Sequence, residues 1–189
     1  MEKFTKMKVE EKTIDKDNSL FKNDTMKIIK YDNMDIILSN SIVVILPYLK
    51  DEGYILLNYE KLPAFNFKYK NVSEFNNIDY YLSCIKSEHK EDETDSQNVR
   101  RILHERTGIV LNNMYTPEII KVLFKTDNDT GQYHICIVDI GYNDYKQTSI
   151  HNDEKQIVKI GLGDLDDLKT YDLITDYLIL KLKYENNMK

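Results

Sequence analysis

Arginine is scarce in this chain. Of its 26 basic residues only Arg100, Arg101 and Arg106 are arginines, and all three fall inside one seven-residue window. Cysteine is scarcer still. Cys84 and Cys136 lie in apolar runs with no CxxC or CxxxC neighbour, which excludes a disulfide framework and points to buried, reduced thiols in a cytoplasmic protein. Positive charge is not in excess. A net charge of −6 and a pI near 5.3 exclude broad binding along an extended nucleic acid, which needs a basic face. No run reaches the roughly 18 apolar residues of a membrane span, and the opening Met1-Glu-Lys-Phe-Thr-Lys lacks the apolar centre of a signal peptide. His89, His134 and His151 show no metal-ligand spacing with one another or with the cysteines.

What is present suits one globular domain. The 189 residues are 41% hydrophobic and 31% charged, ordinary values for a chain with a sizeable core. Residues 1–25 are polar and read as an N-terminal arm, with weak alternation around Met7–Glu10; residues 26–189 read as the domain. Met26–Lys30 is a strand candidate. Ser41–Leu49 and Tyr54–Tyr59 are apolar runs separated by Lys50-Asp-Glu-Gly53, the pattern of a hairpin. Residues 60–77 read as loop, Tyr80–Ile85 as a strand and the acidic 88–95 as a solvated loop.

A helix is expected next. Thr94-Asp-Ser-Gln97 matches a capping box, Val99, Ile102 and Leu103 share a face, and Gly108 is placed to end the helix in a left-handed turn. Beyond it, Glu118–Phe124, Tyr133–Ile140 and Ile157–Gly161 read as strands. Leu165–Leu168 and Tyr171–Leu182 carry helical spacing. Strands, a central helix, strands and a closing helix make a mixed α/β arrangement without regular βαβ alternation.

The stretch Glu93-x7-Arg101-Ile-Leu-His-Glu105-Arg106-Thr-Gly108-Ile109 resembles the Nudix box, Gly-x5-Glu-x7-Arg-Glu-U-x-Glu-Glu-x-Gly-U with U aliphatic. In layout, residues 40–183 resemble the ADP-ribose pyrophosphatase branch of that family. The resemblance implies an α/β/α sandwich around a mixed β-sheet. It also implies a helix whose glutamates hold magnesium against a substrate diphosphate and activate a water. The glutamate positions here are Ile102, Glu105 and Arg106, and Ser87 stands where the box glycine would be. One ligand is kept, one is a hydrocarbon and one is a cation. A guanidinium roughly 6 Å from a divalent ion opposes its binding by on the order of 5 kcal/mol at an effective dielectric of 20. The frame positions Glu93, Arg101, Leu103, Gly108 and Ile109 survive. Where the branch has an arginine-containing, substrate-binding stretch, this chain has Asn58-Tyr-Glu-Lys61.

Each candidate residue carries a functional and a structural reading. Glu105, joined by Glu154 or by Glu91, Asp92 and Asp153, would form a rearranged magnesium site; the alternative is solvated carboxylates. Arg106 and Arg100 would grip a diphosphate through their guanidinium forks, or would pair with the acidic 88–95 loop. His104 is expected to face solvent and His134 to be packed or hydrogen-bonded on a strand. The tyrosines of the first half would stack on a base or line an interface. The leading expectation is a domain without pyrophosphohydrolase activity, serving as a nucleotide-binding, protein-interaction or structural module, with a protein partner or a second copy of itself. The alternative is a magnesium-dependent hydrolase of ADP-ribose, NAD or a capped RNA end.

Overall fold

Ile42–Leu49 is apolar at nearly every position because both faces of this strand are covered. The computed structural model describes residues 19–22, 26–31, 34–61, 80–112, 117–123, 131–147, 156–170 and 172–187. Strand β1 (Ser19–Lys22), β2 (Met26–Tyr31) and β3 (Met34–Ser39) form an antiparallel meander. The main sheet contains β4 (Ile42–Leu49), β5 (Tyr54–Lys61), β6 (Tyr80–Ser83), β7 (Ile85–Glu88), β9 (Ile120–Leu123), β10 (Gln132–Ile140) and β12 (Gln156–Gly161). Its order is β12-β5-β4-β10-β9, with β6 added to β5 and β7 to β4. The pairing of β4 with β10 is parallel and the other pairings are antiparallel, so the sheet is mixed. A small ladder joins β8 (Ile109–Leu111) to β11 (Tyr145–Gln147).

Side chains alternate along β4. Val43, Ile45 and Leu49 pack with Val99, Ile102 and Leu103 of helix α1 (Asp95–Thr107). Val44, Leu46 and Tyr48 pack with Leu178, Ile179 and Leu182 of helix α2 (Leu173–Asn187). Two cores, one on each face, make the α/β/α sandwich, and a strand buried on both faces is apolar throughout. The hairpin turns at Gly53, whose φ of 71° is strained for other residues, and its N–H donates to Leu49 O at 2.9 Å.

Several features differ from the sequence reading. Tyr80–Ile85 is not one strand: β6 pairs with β5, β7 pairs with β4, and Cys84 bridges them. Its N–H leaves the ladder and donates to Thr175 Oγ1 of α2 at 2.8 Å. Ion pairing of Lys86 with Asp172, at 2.8 Å, ties the start of α2 to the same place. Strand β7 extends to Glu88, into the expected loop, because Ser87 and Glu88 pair with Val43 and Ile42. Strands β3, β8 and β11 were not expected; β8 and β11 are only three residues each, too short for a period to register. Strand β1 lies within the segment read as an arm, while Met7–Glu10 is outside the described residues, as are 62–79. The spacing at Leu165–Leu168 follows a 3-10 turn, Leu162–Asp164, and is not a helix of its own.

Both thiols are deeply buried. Burial pushes Cys84 up to about 12, against the pull of its Thr175 hydrogen bond, and burial likewise pushes Cys136 well above the ordinary thiol range. Thiolate is the reactive form. Ellman's reagent at neutral pH should therefore label neither cysteine in the folded protein and both in concentrated urea. Rapid labelling of the native chain would contradict this packing.

Candidate functional site

The loop from His89 to Thr94 is wound around two side chains of the helix that follows. Asn98 is fully buried. Its Oδ1 accepts from Lys90 N–H at 2.8 Å, and its Nδ2 donates to Lys90 O at 2.9 Å and to Glu93 O and Thr94 O at 3.3 Å. Arg101 lies beside it. Nε donates to both oxygens of Glu93, at 3.0 and 2.8 Å, while Nη2 donates to Asn98 Oδ1 at 2.7 Å and Glu88 O at 3.2 Å. Charge-assisted bonds of this kind are stronger and more directional than neutral ones. The capping box is formed: Gln97 N–H donates to Thr94 Oγ1, and Thr94 N–H to Gln97 Oε1. Gly108 closes the helix at φ 74°, its N–H donating to His104 O at 2.9 Å.

Ile102 points into the core with none of its surface exposed. Glu105 is half exposed, and its Oε2 lies 3.4 Å from Arg101 Nη1. Arg106 is half-buried and donates from Nη2 to Lys86 O at 3.3 Å. Arg100 is six positions earlier on the same helix, so the two side chains leave it about 120° apart. Glu91 and Asp92 are exposed; Asp153 and Glu154 lie outside the described residues, as does His151. His104 faces solvent.

Another group of side chains converges at the first turn of α1. Asp95 Oδ1 lies 2.8 Å from His134 Nδ1 and 3.2 Å from His89 Nε2, while its Oδ2 lies 3.3 Å from Lys121 Nζ. The two imidazole rings sit 4.2 Å apart at a tilt of 31°. Burial pushes His134 down, the Asp95 bond pulls it up and the His89 charge pushes it down again, leaving it below its ordinary value. Burial works to raise Asp95, but bonds and charge from His134 and Lys121 prevail and hold it low. A neutral His134 beside an ionised Asp95 follows. Sequence spacing missed this group because His89, Asp95 and His134 come from a loop, a helix and a strand. Asn98 was also missed, although its position four residues before Ile102 places it on the buried helix face.

A cleft of about 300 Å³ lies elsewhere, lined by Glu118, Ile120, Cys136, Asp139, Lys181 and Glu185 among others. Three carboxylates against one ammonium give it the wrong sign for a diphosphate.

No family model and no curated protein matches this sequence. Among solved structures, the fold is similar to that of an ADP compounds hydrolase, with a TM-score of 0.57 over 88% of this chain and 89% of that one, at 14% identity. A structure of MutT, from a study of Aliivibrio salmonicida and Vibrio cholerae, gives a TM-score of 0.48 at 14% identity over 75% of this chain and 98% of its own. The first likeness establishes a Nudix-like α/β fold, and at this identity it speaks to the fold alone.

Removal of the Asn98 side chain leaves buried backbone groups of the loop without partners. Asn98→Ala should lower stability to urea by about 1–3 kcal/mol and raise hydrogen exchange at the Lys90 amide above that of the sheet. Equal protection of that amide in the variant would contradict the arrangement.

Proposed function

We propose that this chain is a Nudix-fold module that acts by binding and not by pyrophosphohydrolysis, with a nucleotide diphosphate or a protein as its partner. Its main support is the burial of Ile102. At that position the family resemblance calls for a carboxylate, yet this side chain is part of the core between α1 and the sheet. The other two positions reinforce the reading. Glu105 faces the Arg101 guanidinium, and Arg106 is spent on a backbone carbonyl. Among the described residues, three convergent metal-ligating side chains occur at His89, Asp95 and His134, away from Glu105 in the chain. Among the described residues Glu105 meets the Arg101 guanidinium, which also holds Glu93, and a carboxylate paired in this way is a poor start for magnesium, which favours several oxygen donors in near-octahedral geometry.

The protein arm of the proposal rests on the outer face of α2. Leu173, Tyr177, Leu180 and Tyr184 are exposed there at 4-3-4 spacing, the period of a coiled-coil seam. A second copy of this chain would match that seam by twofold symmetry. Sedimentation velocity should then show a dimer that Leu180→Glu converts to a monomer with unchanged circular dichroism. A monomeric wild type would remove this arm.

The competing reading, a magnesium-dependent hydrolase of nucleoside diphosphate compounds, is favoured by one observation, the half-exposed carboxylate of Glu105. Incubation with ADP-ribose and magnesium separates the two. The binding reading expects no release of AMP above the uncatalysed rate, while calorimetry detects whether ADP-ribose binds. Magnesium-dependent turnover that Glu105→Gln abolishes would overturn it.

A further inference from the structure

We propose that His89, Asp95 and His134 form a binding site for a divalent transition metal of the zinc class, distinct from the box positions Ile102, Glu105 and Arg106. One candidate ligand atom from each residue lies within 4.8 Å of the others. The two imidazole nitrogens approach the same carboxylate oxygen, Asp95 Oδ1, at 2.8 and 3.2 Å. Donor atoms on a tetrahedral zinc with bonds of about 2.0–2.1 Å stand roughly 3.3 Å apart. The two N···O distances would open by about half an ångström or less, and the two nitrogens, at most 4.8 Å apart, would close by up to about 1.5 Å, to convert a hydrogen-bonded trio into a coordinating one.

The donor set decides which cation fits. Two imidazoles and one carboxylate suit zinc, cobalt, nickel or copper, whereas magnesium and calcium favour oxygen donors. His134 Nδ1 and His89 Nε2 are the ring nitrogens turned toward Asp95 Oδ1, so these are the two that would offer lone pairs to the ion.

The surroundings hold the three donors in place. Lys121 Nζ engages Asp95 Oδ2, which leaves Oδ1 for the ion and fixes the carboxylate plane, as outer partners do at metal sites. His89 is anchored by its own N–H to Ser41 O at 2.8 Å, and the loop that follows it is wrapped around Asn98. His134 is fixed by the β10 ladder, opposite Val43 and Lys121. The Asp95 side chain remains 29% exposed, so an ion has an approach and a fourth position for water. The positive end of α1 and the Lys121 ammonium both oppose a cation, so the affinity is expected to be moderate.

The test is a titration of the full chain with cobalt(II) and with zinc, read by visible absorption and by calorimetry. One cobalt per chain with the intense d–d bands of a four- or five-coordinate site is expected, displaced by zinc and not by magnesium. His89→Gln, whose loop position spares the core, should weaken binding by at least about tenfold. Asp95→Asn should do the same, with circular dichroism confirming that each variant is folded. Absence of cobalt and zinc binding by the wild type would overturn the proposal. So would equal affinity in wild type and the folded variants, which would place the ion elsewhere.

Discussion

Asn98 and Arg101 hold the loop between β7 and α1, and the rest of the site depends on that hold. Asn98 is buried and uses both ends of its amide on backbone groups of residues 90–94. Arg101 then joins Glu93 to Asn98 and to the carbonyl of Glu88, the last residue of β7. A short polar loop cannot fold around apolar contacts, so its shape comes from satisfied hydrogen bonds in a partly dry environment. The same wrapping fixes where His89 leaves β7 and where Asp95 enters α1.

The face of α1 turned toward the sheet is apolar. Ile102 joins Val43, Ile45, Val99 and Leu103 in one core, where an ionised carboxylate would be costly. Arg106 reaches the carbonyl of Lys86 and so fastens the end of α1 to β7. Residues that resemble a metal-holding pattern by spacing are here part of packing and helix anchoring.

Much of this architecture was legible in the residues. Thr94 and Gln97 announced the start of α1 and Gly108 its end, since capping and a left-handed turn are local in sequence. The apolar run 42–49 and the Gly53 turn announced the central hairpin for the same reason. The division of 80–88 into two strands was not legible, because it depends on Cys84 N–H finding Thr175 Oγ1 ninety-one residues away. Asn98 was overlooked because a polar residue on an apolar face has no local signature until its partners are in view.

Local pattern by itself determined the central hairpin, the two ends of α1 and the burial of both cysteines. Those properties follow from hydrophobic period, capping chemistry and backbone conformation, which act over a few residues. Only the tertiary structure decided that Glu105 meets Arg101 and that His89, Asp95 and His134 share one oxygen. The physical reason is that side-chain convergence is set by the packing of helix against sheet, which brings His134 to within 2.8 Å of a residue 39 positions away.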